Sequence, residues 1–166
     1  MLTDAVRLLV FPALMAFAAS SDLFTMTISN RVTLALVGGF VAMAFISGMS
    51  PSDVLAHTGA AATVVAVTFL FFARGWIGGG DAKLAAATAL WFGFDHLVVY
   101  LLYASIFGGV LTLAMIRFRL MSLPQVLADQ EWAMRLHRPN SGVPYGIALA
   151  AAALLIYPDT PWMQLG

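Results

Sequence analysis

The sequence contains no cysteine. This excludes a disulfide framework, a thiol nucleophile and cysteine-ligated zinc. Charge is almost as scarce: eight basic and eight acidic residues make up 10% of the 166, against about 25% in an ordinary soluble domain. The two signs cancel, so neither nucleic-acid binding nor an acidic tail is expected. The three histidines, His57, His96 and His137, are far apart with no paired spacing, so no metal site is expected, and no cofactor. What remains is 61% hydrophobic, in runs long enough to cross a bilayer. The class is therefore an all-α integral membrane protein whose partners are lipid and other proteins, and any catalysis must come from Asp, Glu, His, Ser or Lys.

Six transmembrane helices are predicted within a single domain covering residues 1–166. The first is Leu2–Ser21, with Asp4 and Arg7 one turn apart at its outer end and Pro12 as a kink. A signal peptide is the competing reading, because Leu8–Ala19 has the length of its apolar core and Ala16-Phe17-Ala18 resembles a cleavage site. Asp4 set against Arg7 removes the positive bias such a leader needs. Asp22 follows in a short polar connection that ends with Ser29 or Asn30 as N-cap. The next spans are Val32–Met49, then, after the Ser50-Pro51-Ser52-Asp53 turn, Val54–Ala73. Ala82–Phe94 is only thirteen residues, about 20 Å of helix against a hydrocarbon layer of about 30 Å. If its far end at Gly93-Phe94-Asp95-His96 reaches one interface, Asp81 at its near end is recessed below the other. Leu97–Ile116 is the fifth span, with Gly108-Gly109 suited to close helix contact, and Val143–Tyr157 the sixth. Between these two lies a polar segment, 117–142, read either as an interfacial helix begun by Pro124 or as a solvated loop.

Seven of the eight Lys and Arg residues fall on one side of this arrangement, in the first, third and fifth connections. The positive-inside rule makes that side cytoplasmic and puts both termini outside. Asp22 and Asp81, 59 residues apart, then meet the same membrane boundary. Asp53, Asp95 and Asp159 fall on the other side and read as caps or solvated residues.

Gly78-Gly79-Gly80-Asp81-Ala82-Lys83-Leu84 sets an acid and three glycines between two apolar segments, where irregular backbone persists only beside protein or a wet cavity. Two carboxylates brought close together share a proton, so that one serves as base and the other as acid. That is the chemistry of an aspartic protease. It is equally the equipment of a proton-coupled transporter, and a structural subunit of a secretion complex is a third reading. The transporter reading is weakened because one aspartate ends a span and the other begins one, without the correspondence of an inverted repeat. Helix dipoles assign the base to Asp81, at a helix start, over Asp22, at a helix end. Lys83, two residues on, points away from Asp81 and has no catalytic role.

Three blocks resemble the GxGD-type membrane aspartic proteases and, within them, the bacterial type IV prepilin peptidases. Asp22 with Ile28-Ser29-Asn30-Arg31 is similar to the first catalytic block, which often has Pro where this chain has Ser29. Gly78–Leu84 resembles the GxGDxKL block, and Val143-Pro144-Tyr145-Gly146-Ile147-Ala148-Leu149 the segment that opens the last span. The resemblance implies a membrane endopeptidase with Asp22 and Asp81 as its catalytic pair at the cytoplasmic boundary. Gly78, Gly80, Asn30 and Lys83 would shape or line its pocket. Its substrates would be prepilins with a basic leader, cut after a glycine and before an apolar helix; the bare backbone at Gly78 and Gly80 would let that chain approach. Asp129 and Glu131 would be candidate contacts for leader or pilin. The short form resembles the peptidases of Flp pili in tight-adherence systems, in the inner membrane, with archaeal preflagellin peptidases as near neighbours. Larger members also methylate the new N-terminus and carry paired cysteines in an N-terminal extension. Without either feature, methyl transfer is not expected here.

Overall fold

The computed structural model describes residues 2–164, with side chains from residue 8 to 163, so the side chains of Asp4 and Arg7 lie outside the described residues. Its elements are α1 (Leu2–Thr25), α2 (Asn30–Ile46), α3 (Pro51–Ala73), α4 (Gly79–Leu120), α5 (Gln125–Ala128), α6 (Glu131–His137), α7 (Gly146–Ile156), a 3-10 turn (Tyr157–Asp159) and α8 (Pro161–Gln164). Among the described residues there is no strand. Two helices start where side-chain oxygens can replace the missing backbone acceptors. Ser29 accepts from the Arg31 N–H at the head of α2, and Ser50 accepts from the Asp53 N–H at the head of α3, where Pro51 opens the helix.

Most boundaries differ from expectation by a few residues: α2 and α3 begin at Asn30 and Pro51, and α4 begins at Gly79, so that Gly79 and Gly80 are helical and not irregular, and runs past Ile116 to Leu120. α1 does not stop at Ser21 but runs on to Thr25, which takes Asp22 out of the polar connection and into the end of the helix. The Asp22 carbonyl accepts from the Met26 N–H at 2.8 Å, the Thr25 hydroxyl bonds the Ser21 carbonyl, and Met26 at φ 56° ends the helix. At the other end of the chain, α7 begins at Gly146 and not at Val143. Val143 precedes Pro144, whose ring disfavours helical backbone in the residue before it.

α4 is 42 residues long but is not one rod, because Gly93 has φ 60° and ψ −170°. Asp81 and Thr112 line the same cavity, whereas a straight helix would hold them about 46 Å apart at 1.5 Å per residue. The chain therefore turns back at Gly93, close to the predicted break, giving arms 79–92 and 94–120. The first arm is the axis of the molecule: every residue from Leu84 to Gly93 is buried. Its run of alanines lets neighbouring backbones approach closely. α3 and α7 pack on α4, α1 packs on α7 and α2, and α2 touches α4.

An aromatic cluster closes the end of the bundle around the Gly93 turn. Phe11 stacks on Tyr157 at 4.5 Å and lies 5.0 Å from Trp91, which is 5.5 Å from Trp162. Both indoles are satisfied, Trp91 donating to the Leu36 carbonyl and Trp162 to that of Trp91. The outer faces are apolar, with Phe69, Leu70, Phe72, Val98 and Leu113 exposed. Among the described residues three helices are long and apolar enough to cross a membrane: Leu8–Thr25, Pro51–Ala73 and the folded-back Gly79–Leu120. α2 and α7 are shorter apolar helices.

Gly93 adopts backbone angles open almost only to glycine, and an added Cβ would lie 2.9 Å from His57 Nε2. Gly93→Ala is expected to cost about 1–3 kcal/mol, read as a lower midpoint of thermal unfolding in detergent. An unchanged midpoint would show that the turn tolerates a side chain.

Candidate active site

Six helix ends meet at the other end of the bundle: those following Thr25, Ala73 and Leu120 and those opening at Asn30, Gly79 and Gly146. Helix ends leave unpaired N–H and C=O groups, so polar side chains and loops gather here. Asp22 is 5% exposed and Asp81 is half-buried. Both line a cavity of about 800 Å³ together with Met26, Trp76, Gly78, Thr112, Gly142, Val143 and Tyr145. Both also line a smaller one of about 270 Å³, formed with Thr27, Ile28, Gly79 and Gly80. The two carboxylates interact electrostatically.

Each carboxylate is held by a backbone donor. Asp81 is the third residue of α4 and reaches back to the N–H of Gly78, the N-cap, as the acid of a capping box does. Asp22 Oδ2 accepts from the Gly146 N–H at 2.7 Å, across 124 residues of sequence. Gly146 is the first residue of α7, so Asp22 sits at the end of one helix and at the start of another. The helix-end argument that singled out Asp81 as the base thus no longer separates the two, since each meets a helix N-terminus.

The bare faces of the glycines are used by the protein itself. A Cβ on Gly78 would stand 3.0 Å from Asp81 Oδ2, and one on Gly80 3.3 Å from Ile28 Cβ. A Cβ on Gly146 would come within 2.8 Å of both Asp22 Oδ2 and Ile28 Cδ1. Ile28 is therefore a wedge between the heads of α4 and α7. Asn30 and Lys83 are brought together rather than into either cavity: Lys83 Nζ donates to Asn30 Oδ1 at 3.0 Å, tying the head of α2 to that of α4. Lys83 is exposed but spends its ammonium on this bond. Asp129 and Glu131 line a separate cavity with Arg135 and Arg138.

The segment 117–142 begins as the last turn of α4, and Pro124 then starts a short helix as expected, in place of a solvated loop throughout. It holds the short helices α5 and α6, of which α6 buries Ala133 and Leu136. Gly146, Tyr145, Ile28 and Thr112 were not singled out individually by sequence reasoning. The first two lie in the Val143–Leu149 block, and Gly146 opening an apolar helix at the same boundary as both aspartates was the available signal. Gly108 does serve close packing, but its neighbour is a side chain: Tyr145 lies against it and donates its hydroxyl to the Ala104 carbonyl at 3.2 Å. Gly109 faces open space.

A model of the type IV leader peptidase family matches residues 9–113, more than half of the chain and including Asp22 and Asp81. No curated protein and no solved structure matches the chain.

A Cβ on Gly108 would overlap the Tyr145 ring and hydroxyl. Gly108→Ala is expected to cost about 2–4 kcal/mol as overpacking, whereas Gly109→Ala stays within about 0.5 kcal/mol. Thermal unfolding of the two variants side by side checks this, and equal midpoints would contradict the packing described.

Proposed function

Because the chain belongs to the type IV leader peptidase family, and so is a membrane-embedded peptidase acting on prepilin-type substrates, we propose that Asp22 and Asp81 are its catalytic pair. The observation that carries this reading is that both carboxylates, remote in sequence, line the same two cavities and each is oriented by a backbone N–H. The ionised member takes a proton from a water molecule, whose oxygen attacks the scissile carbonyl carbon. The protonated member gives its hydrogen to the carbonyl oxygen, and the tetrahedral intermediate collapses as the leaving nitrogen takes a proton. Neither a metal nor a covalent enzyme intermediate enters this scheme.

The substrate in this reading is a prepilin with a short basic leader, or a Flp-type pilin-like protein, cut before its apolar helix. The proposed setting is the bacterial inner membrane, with six spans, both termini outside and the aspartates at the cytoplasmic boundary. Its support is the basic bias of the connections at the aspartate end, where Arg31, Arg74, Lys83, Arg117, Arg119, Arg135 and Arg138 all lie. The proton-coupled transporter loses its footing in a family of peptidases.

Membranes containing the wild-type protein are expected to cut a reporter with a basic leader, a glycine at the junction and an apolar helix, with or without a chelator. Asp22→Asn and Asp81→Asn, accumulating to the same level, are each expected to lose at least about 10³-fold in cleavage. Near-normal cleavage by either variant would falsify the two-aspartate mechanism. A reporter carrying a preflagellin leader, run beside it, separates the pilin from the preflagellin reading.

The absence of native cysteine makes orientation directly readable. Ser52→Cys is expected to react with a membrane-impermeant maleimide in intact cells, and Asn140→Cys only after permeabilisation. The reverse pattern would invert the proposed topology.

A further inference from the structure

We propose that Arg119 is a positioning residue for the carboxylate of Asp22, a role that rests on the two-aspartate reading. Arg119 lies in the last turn of α4 and points back across the segment that leads to α7. Its Nε donates to the Leu136 carbonyl at 2.9 Å, and its Nη2 to the Ser141 carbonyl and hydroxyl at 2.9 Å each and to the Gly142 carbonyl at 2.7 Å. One guanidinium therefore gathers four acceptors, from the end of α6 to Gly142, which is itself part of the cavity wall. Four residues beyond Gly142 is Gly146, whose N–H holds Asp22 Oδ2.

The far end of that strap is anchored by the fully buried Pro144 and by Tyr145 on the Ala104 carbonyl, whereas from 138 to 142 only the local bonds of Ser141 to Leu136 and Arg138 accompany those of Arg119. Residues 138–145 contain no helix, and their backbone carbonyls have few partners within the stretch. The helix from which the strap leaves, α6, is clipped to the end of α1, where Arg135 donates to the Phe24 carbonyl at 2.9 Å, two residues beyond Asp22. Arg135 thus secures the helix that carries the acid, and Arg119 secures the strap that carries its donor. Only a planar fork satisfies carbonyls lying in different directions at once. A lysine ammonium keeps the charge but not the geometry. Arg119 lines neither aspartate cavity, so its effect reaches the reaction through the strap and not through contact with substrate.

The test uses purified full-length protein in lipid and the basic-leader reporter, with kcat, KM and the pH profile of kcat measured for wild type, Arg119→Lys, Ser141→Ala, Arg117→Ala and Asp22→Asn. Arg119→Lys is expected to lose about tenfold or more in kcat, with KM within about twofold of wild type and a displaced pH profile. Ser141→Ala, which removes one of the four acceptors, is expected to lose less in the same parameter, about two- to fivefold. It keeps the proposal open to refutation should Arg119→Lys fail to accumulate. Arg117→Ala, one turn-half away and exposed, should behave as wild type. A raised KM with unchanged kcat in Arg119→Lys would make Arg119 a substrate contact and overturn the proposal. So would a loss that merely follows the fraction of unfolded protein, with kcat and pH profile of the folded fraction unchanged. If Asp22→Asn is inactive while Arg119→Lys and Ser141→Ala are normal, only the positioning role falls. If Asp22→Asn cuts as wild type does, the two-aspartate reading falls and takes this role with it.

Discussion

A carboxylate that is only 5% exposed among apolar helices has to be given hydrogen-bond donors by the protein, because its apolar surroundings supply none. The 2.7 Å bond from the Gly146 N–H to Asp22 is the answer to that constraint, and much of the molecule follows from it. For the first N–H of α7 to reach the end of α1, α7 must lie along both α1 and α4, as it does. Its entry must pass over the second arm of α4, which is why Gly108 lacks a side chain where Tyr145 crosses. Its exit ends in the aromatic cluster with Tyr157 and Trp162. A helix of eleven residues is thereby fixed at both ends, by a polar bond at one and by ring packing at the other.

The second constraint is length. The first arm of α4 is too short to cross a hydrocarbon layer alone, and it is buried along ten consecutive residues. A short helix is tolerable there because it faces protein on every side, so neither of its ends has to meet an interface. The buried stretch begins only at Leu84, so Asp81 stands at the partly exposed head of this arm, among the other helix ends.

The sequence carried the local features well. Ser29, one of the two expected candidates, caps α2, and the chain turns at Gly93, close to the predicted break, since caps and turns are decided by side chains acting on their own backbone. Basic residues and span lengths brought Asp22 and Asp81 to one end of the bundle, where a shared cavity lies. What could not be read were contacts between distant pieces of chain. Gly146 and Ile28 lie in the motif blocks, but nothing in those blocks says which group each meets, and the four acceptors of Arg119 have no spacing or composition that marks them. A backbone N–H has no sequence identity, so its partner becomes visible only once the helices are in place. Lys83 shows the same limit from the other side: its helix position allowed it to reach an interface, and only the fold places Asn30 within 3.0 Å.

The two ends of the bundle also differ in kind, and the difference bears on how a peptide could reach the acids. At the Gly93 end, rings pack on rings and the indole donors are spent on main-chain carbonyls, so separating the helices there would expose several buried polar groups together. At the aspartate end, the walls are a turn with Gly75 at φ 72°, the Trp76 side chain, which is 67% exposed, and the strap through Gly142. These walls are turn and strap rather than helix, in contrast to the ring-packed end. An extended substrate needs room on both sides of the bond to be cut, and the carboxylates stand between a larger and a smaller cavity. The fold concentrates its aromatic packing as far from the aspartates as the length of the helices allows, and leaves the walls of the aspartate cavities to turns and strap.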